Sequence, residues 1–233
     1  KKAHVVMWDA DPVHGRALLA KVLTHKYAES EMEVANELAT ASPALFVSPV
    51  GTLEVSDKFS VLLLPYVENI YPDDNGEAVI IPDILQAAHD LLTAVSTMTK
   101  CKVLHRDLKP GNVLWLSDGH VKVVDFDLAK QLAGEDVGST SYCGTDGWMA
   151  PEVEAVKTAQ DAGKAPVPYS YPVDVWGAGK VLEWAMGKVG ASVVVPDRWW
   201  TPCAVPTRHR PTAVDALKAV HAMLDPKHEA GSP

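Results

Sequence analysis

The chain has 233 residues, of which 47% are hydrophobic and 22% charged, a composition typical of a soluble globular protein rather than a disordered one. No apolar run approaches the roughly 18–20 residues that a membrane span requires. The net charge of −9 argues against nucleic-acid binding as the main activity, because phosphate contacts require a basic surface.

The first third of the chain is predicted to alternate between strands and helices. A short apolar run at 4–8 predicts a strand, and Asp11-Pro12 predicts the start of a helix with Leu18, Leu19, Val22 and Leu23 at helical spacing. A second helix is predicted to begin after Ser30 and to end near Pro43. Residues 46–50 and 59–64 then predict two paired strands joined by a polar turn.

The rest of the chain is predicted to be mainly helical, with one small hairpin. The stretch 72–76 is a strong turn signal, and Pro82 is predicted at the first position of an amphipathic helix with Ile84, Ala88, Leu91, Val95 and Met98 on its buried side. Residues 112–116 and 120–124 predict a hairpin, and 173–186 and 212–224 predict two further helices. These elements favour an α+β fold with two unequal lobes joined near residues 65–71.

The most informative stretch is residues 105–112, which read His-Arg-Asp-Leu-Lys-Pro-Gly-Asn, with Asp125-Phe126 thirteen residues later. The carboxylate of Asp107 can accept a proton from a hydroxyl, and the ammonium of Lys109 can neutralise charge on a transferred phosphoryl group. Asn112 and Asp125 offer the hard oxygen ligands that Mg²⁺ prefers. This set suits phosphoryl transfer, which requires positioning and charge neutralisation.

Three motifs in this order resemble those of the eukaryotic protein kinases. They are H-R-D-L-x-x-x-N at 105–112, the first two letters of D-F-G at Asp125-Phe126, and A-P-E at 150–152. In addition, residues 174–179 resemble the start of the family's central buried helix, and Arg210 resembles its late arginine, which pairs with the glutamate of the third motif. The resemblance implies one kinase-like domain over 1–233, with a reduced N-terminal lobe at 1–66 and a mainly helical C-terminal lobe at 67–233.

The resemblance also implies roles for the residues of the catalytic segment. Asp107 is expected to be the catalytic base and Lys109 to stabilise the transferred phosphate. Asn112 and Asp125 are expected to bind Mg²⁺, and ATP is the expected phosphoryl donor. Lys109, two positions after Asp107, favours protein substrates phosphorylated on serine or threonine. Arg106 is expected to hold a phosphate on the activation segment, which runs from about residue 128 to 149.

The nucleotide site is expected to draw on the N-terminal lobe. By resemblance, Glu33 takes the place of the family's ion-pairing helix glutamate, and Leu64 takes the gatekeeper position. The backbone of residues 65–67, including Tyr66 and Val67, is expected to face the adenine, and Leu114 is expected to pack beneath that ring.

Three departures from the family pattern affect this expectation. No glycine-rich loop precedes residue 8, so the first two strands of the small lobe are expected to be absent or to lie upstream. The sequence of the third strand is best matched at 5–8, which puts Trp8 where the family has lysine; Lys2, Lys21 and Lys26 remain open as substitutes. Finally, Asp127 replaces the glycine of the second motif, which restricts the backbone and adds a carboxylate beside the metal site.

The preferred hypothesis is a serine/threonine protein kinase with a divergent nucleotide site. A pseudokinase that serves as a binding or scaffold module is the alternative, favoured by Trp8 and Asp127. A small-molecule phosphotransferase is a weaker alternative. The three cysteines are widely spaced, without a C-x-x-C pair, and Lys1-Lys2 is not followed by a signal-peptide pattern. We therefore expect a cytoplasmic protein with a protein substrate and with neither nucleic-acid nor membrane partners.

Overall fold

A computed structural model describes residues 5–8, 17–70, 83–132, 138–188 and 210–224. The described elements are β1 Val5–Trp8, β2 Leu18–Thr24, α1 His25–Ala41, β3 Gly51–Glu54, β4 Phe59–Pro65, α2 Ile84–Lys100, β5 Val103–Leu104, β6 Val113–Trp115, β7 Val121–Val123, β8 Lys130–Gln131, α3 Pro151–Asp161, α4 Pro172–Met186 and α5 Ala213–Leu224. The predicted turn at 72–76 lies outside the described residues.

The small lobe is a four-stranded antiparallel sheet with one helix against it. The strand order is β1-β2-β4-β3, and Lys21 of β2 is opposite Leu62 of β4. Leu23, Leu62 and Ala28 of α1 form its buried cluster. The sheet thereby places Lys21 on a central strand, next to the helix that packs against the sheet.

Several predictions for the small lobe were wrong. Residues 18–24 form a strand rather than part of a helix, and β1 is an edge strand paired with β2. Trp8 therefore does not lie at the lysine position, and a strand does precede the lysine strand. The predicted strand at 46–50 is displaced, because regular pairing begins only at Gly51 and Phe46 makes a single bridge to Val123.

The large lobe is built on two buried helices, as predicted. The N-cap of α2 is Asp83, whose carboxylate accepts hydrogen bonds from the backbone N–H groups of Leu85 (3.0 Å) and Gln86 (2.9 Å), so the helix begins two residues later than Pro82. Helix α4 is mostly apolar, with Lys180 and Glu183 on its more exposed side, and it packs with α2 in the main core. Helix α3 was not predicted; its start carries proline at N1 and Glu152 in the first turn.

The two lobes meet beside the hairpin of β6 and β7. The backbone N–H of Val123 donates to Leu45 O (2.9 Å), and Phe46 packs against Phe126 with ring centroids 6.0 Å apart. The predicted hairpin and the predicted α+β, two-lobe kinase-like fold are confirmed. Among the described helices, none has the length and apolar character needed to cross a membrane.

Candidate active site

A buried carboxylate fixes the turn that carries the candidate catalytic residues. Asp174, on the first turn of α4, accepts hydrogen bonds from the backbone N–H groups of His105 (2.7 Å) and Arg106 (2.9 Å). Complete burial raises the pKa of Asp174, although these donors partly offset the effect. Arg106 has a φ of 69°, so these bonds hold the backbone in the left-handed region immediately before Asp107.

Asp107 lies at the centre of a polar network. Its Oδ2 accepts a hydrogen bond from Lys109 Nζ (2.8 Å), and its Oδ1 accepts one from Thr145 Oγ1 (2.7 Å). Lys109 Nζ also donates to Thr145 Oγ1 (2.7 Å), so a lysine and a threonine from two separate segments orient one carboxylate. The structure therefore brings together Asp107 and Lys109, the two predicted catalytic residues.

Asn112 and Asp125 lie next to each other across the hairpin. The backbone N–H of Val124 donates to Asn112 O (3.0 Å), which fixes the two chain segments side by side. The side-chain Nδ2 of Asn112 donates to Asp107 O (2.9 Å) and Oδ2 (3.2 Å). Asn112 Oδ1 accepts no hydrogen bond from the described residues. The donor set thus fits Mg²⁺, since an amide oxygen and a carboxylate remain available as ligands.

A lysine on β2 completes the ion pair expected of the small lobe. Lys21 Nζ contacts Glu31 Oε1 (2.9 Å) and Oε2 (2.8 Å) and also Asp125 Oδ1 (2.5 Å). Burial alone lowers the pKa of Lys21, but the two carboxylates outweigh it and raise the pKa overall. Burial raises the pKa of Glu31 to about 7, against the opposing effect of Lys21.

The prediction for Glu33 was therefore wrong, because Glu33 is exposed while Glu31 is buried and paired. The two residues are separated by roughly 200° around the helix, so only one of them can face the cleft. From the sequence, Lys21 was left open beside Lys2 and Lys26, and Glu31 was not assigned. One available signal was that Lys21 stands within the apolar run 18–23, whereas Lys26 lies beyond it.

The second motif is well packed despite its aspartate. Phe126 is buried between Phe46 and His105, whose ring centroid is 5.1 Å away. Among the described non-glycine residues, positive φ occurs at Lys102, Arg106 and Asp125 (68°), so Asp127 has a φ that any residue adopts. The backbone strain expected from replacing glycine does not arise.

A mostly apolar cavity of about 250 Å³ lies between the lobes. It is lined by the predicted adenine-site residues Leu64, Tyr66, Val67 and Leu114, together with Glu31, Phe126 and others. The backbone N–H of Tyr66 donates to Ala17 O (2.9 Å), while Val67 has no backbone hydrogen bond to the described residues and remains available to a ligand. The cavity meets a second one of about 440 Å³ at Asp125. The second cavity is more polar than the first and contains Asp107 and Lys109.

The activation segment is fastened to the large lobe. Arg106 Nε donates to Leu128 O (2.7 Å) and its Nη1 to Ser139 Oγ (3.2 Å). At the end of the activation segment, Glu152 accepts hydrogen bonds from Arg210 at both carboxylate oxygens (2.6 and 3.2 Å), as the resemblance implied. These contacts fix the segment that carries Thr145 into the cleft.

Comparisons with known proteins agree with this geometry. Residues 20–189, well over half of the chain, match a family model described as "Protein kinase domain". The chain is 38% identical over 177 residues to Serine/threonine-protein kinase 10-A of Xenopus laevis, covering 70% of this chain and 17% of that one. Identity to Serine/threonine-protein kinase 10 of Mus musculus is 35% over 182 residues, with coverages of 72% and 18%. Identity to Serine/threonine-protein kinase cds1 of Schizosaccharomyces pombe is 41% over 93 residues, covering 40% of this chain and 19% of the relative. The chain thus spans less than a fifth of the length of these relatives.

Proposed function

This chain belongs to the protein kinase family, and we propose that it transfers the γ-phosphate of ATP to a serine or threonine of a protein substrate. The observation that carries this proposal is the joint geometry of two networks in one cleft. Asp107 is oriented by Lys109 and Thr145, while Lys21 joins Glu31 to Asp125.

The proposed reaction uses these residues in distinct roles. A substrate hydroxyl enters the polar cavity beside Asp107, whose carboxylate accepts the hydroxyl proton as the oxygen forms a bond to the γ-phosphorus. The bond from that phosphorus to the β,γ-bridging oxygen breaks, and ADP leaves with the electron pair. Lys109 offsets charge on the transferred group, and Lys21 is placed to bind the α- and β-phosphates.

Mg²⁺, when bound by Asn112 and Asp125, supplies neutralisation of phosphate charge. The chain's own contribution is to hold these two ligands in fixed positions, since Val124 N–H joins the segments and Asn112 is anchored to Asp107. The apolar cavity with Leu64, Tyr66, Val67 and Leu114 is proposed to take the adenine.

The structure bears differently on the two alternatives. The argument for a pseudokinase from Trp8 no longer applies, because Lys21 supplies the ammonium group on β2. A small-molecule phosphotransferase is disfavoured by the Glu152–Arg210 pair, which in the family supports polypeptide substrates. The two described free cysteines, Cys101 and Cys143, and the net charge of −9 support our proposal of a cytoplasmic protein without a nucleic-acid partner.

Radiolabel transfer from ATP to a generic protein substrate tests the proposal, with phosphoamino-acid analysis of the product. Asp107→Asn is expected to reduce transfer by about 10²- to 10⁴-fold, the range for loss of a general base. Asp161→Asn, at the exposed end of α3, is the matched control and should leave transfer unchanged. Labelling that persists in Asp107→Asn would contradict the assigned role. A thermal shift with ATP and Mg²⁺ but no transfer would instead support the binding module.

A further inference from the structure

A buried tyrosine fastens the activation segment to the large lobe. Tyr169, just before α4, is 3% exposed, and its hydroxyl donates to Ser141 O (2.6 Å) and lies 3.7 Å from Cys143 Sγ. The backbone N–H groups of Ser139 and Tyr169 also donate to each other's carbonyl oxygens (2.8 and 2.9 Å). One residue therefore holds the chain at both 139 and 141, a few residues before Thr145.

Arg106 holds the same stretch through neutral oxygen atoms. The resemblance implies a phosphate partner for this arginine, but its Nε donates to Leu128 O (2.7 Å) and its Nη1 to Ser139 Oγ (3.2 Å). Ser139 is 0% exposed, so its hydroxyl is closed off from solvent. Gly138 lies so close to Pro168 that a Cβ at position 138 would be 2.6 Å from the proline Cβ. The segment is thus packed tightly against the large lobe where Arg106 meets it.

The fastened stretch leads directly to the residue that orients the catalytic carboxylate. Thr145 Oγ1 donates to Asp107 Oδ1 (2.7 Å). Between the two, Gly144 passes so close to the catalytic turn that a Cβ there would be 2.9 Å from Arg106 O. Because the chain from 139 to 145 is short, fixing its start restricts where the Thr145 hydroxyl can lie.

We propose that Tyr169 is a positioning residue for phosphoryl transfer: together with Arg106 and Ser139, it holds Thr145 against Asp107 without a phosphate on the activation segment. These three residues are called the neutral clamp below. The inference rests on the proposed function, because it assigns a role in that reaction. It goes further by specifying the regulation, since a chain with this clamp is active in its unphosphorylated form.

The Tyr169 hydroxyl suits this role at neutral pH. Burial is the main cause that raises the pKa of Tyr169, so the phenol stays protonated and remains a donor to Ser141 O. The clamp's contacts with the segment are hydrogen bonds to neutral oxygen atoms, so they do not require a modified side chain.

Steady-state kinetics of the full chain test the positioning role. The chain is first treated with a protein phosphatase, and mass spectrometry verifies that residues 138–149 carry no phosphate. Labelled product should then accumulate without a lag and at a rate within twofold of the untreated chain. Tyr169→Phe keeps the ring and removes the hydroxyl. It should lower kcat by about 3- to 10-fold, the factor that corresponds to one net hydrogen bond, and leave the KM for ATP unchanged.

Tyr142→Phe is the matched control within the same segment. Tyr142 is partly exposed, and its hydroxyl makes a long contact of 3.4 Å with Asp146 Oδ1. Removing this hydroxyl should leave both kcat and the KM for ATP as in the unaltered chain.

Hydrogen exchange supplies a readout that does not depend on transfer. In the dephosphorylated chain without nucleotide, the amides of Ser139 and Tyr169 should exchange slowly, because each donates to the other residue's carbonyl oxygen. Both amides should exchange about 3- to 10-fold faster in Tyr169→Phe and at the original rate in Tyr142→Phe. Ser139→Ala removes the hydroxyl that accepts from Arg106 and should accelerate exchange at the same two positions.

The outcomes separate this inference from the proposed function. A lag in product formation, or a rate that rises at least tenfold once the activation segment is phosphorylated, would overturn the inference and leave the proposed transfer intact. Transfer by Tyr169→Phe at the original rate would overturn it as well. Slow exchange that depends on the Tyr169 hydroxyl, in a chain without transfer activity, would support the clamp and count against the proposed function alone. Rapid exchange in such a chain would count against both.

Discussion

Replacing Lys21 by methionine tests the buried ion pair at the centre of the small lobe. Lys21 and Glu31 are 8% and 3% exposed as side chains, so Lys21→Met leaves a buried carboxylate without its partner. Removing one partner of a buried pair costs about 3–5 kcal/mol. Asp125 is 35% exposed and remains hydrated, so we expect the cost to come mainly from Glu31.

The pH dependence distinguishes this cause from a simple loss of packing. The pKa of Glu31 is raised from 4.5 to about 7 in the folded protein. Between pH 4.5 and about 7 the folded state therefore binds more protons than the unfolded state, and the free energy of unfolding falls as the pH rises through this range. Without Lys21, whose charge lowers the pKa of Glu31, that pKa lies above 7 and the fall continues to higher pH. The free-energy cost of Lys21→Met should therefore grow above pH 7, by at most about 1.4 kcal/mol per pH unit.

Urea denaturation at pH 6, 7, 8 and 9 measures this cost, in the original background and with Glu31→Gln. The growth with pH should disappear in the Glu31→Gln background, because no carboxylate remains to ionise. Lys26→Met, an exposed lysine on α1, should change the unfolding free energy by less than about 0.5 kcal/mol. A cost of Lys21→Met that is constant with pH, or additive with Glu31→Gln, would refute the reasoning.

Two further predictions concern the contacts that hold the segment between the catalytic residues and α4. The Arg210 side chain is fully buried against Glu152, so Arg210→Ala should lower the unfolding free energy by about 3–5 kcal/mol. Lys218 belongs to an exposed pair, so Lys218→Ala should change the unfolding free energy by less than about 1 kcal/mol in the same urea titration. Gly144 has a φ of 126°, and a Cβ there would lie 2.9 Å from a backbone oxygen, so Gly144→Ala should cost at least about 1–3 kcal/mol and reduce phosphate transfer. Gly111→Ala, with open space and no positive φ, should match the original chain, and equal stability of the two alanine variants would contradict the steric argument.

Much of the large lobe could be predicted from the sequence because its information is local. Residues 105–112 and Asp125 lie on either side of one short hairpin, so their proximity follows from a turn that the sequence marks clearly. The helices α2 and α4 bury continuous apolar stripes that their spacing reveals. Helix α3 was missed because its apolar pattern is weak, with only Val153 and Val156 buried.

The small lobe was harder to predict because its information is not local. The run at 18–24 is apolar at both helical and strand spacing, and only pairing with β1 and β4 makes it a strand. The choice of Glu31 over Glu33 depends on which face of α1 meets the sheet. The buried face of α1 carries Ala28, Glu31, Ala35 and Leu38 at helical spacing, and the prediction of Glu33 did not use that pattern.

The corrected small lobe changes how the two departures in the sequence bear on catalysis. A missing lysine would remove a charge-assisted contact to phosphate, which contributes about 1.5–3 kcal/mol, but Lys21 is present and paired. The glycine of the second motif is dispensable here because Asp125, rather than residue 127, has the positive φ. The remaining difference is one of charge, since Asp127 adds a carboxylate to the cleft. Neither departure removes a group that the proposed phosphoryl transfer uses, so both are compatible with the proposed function.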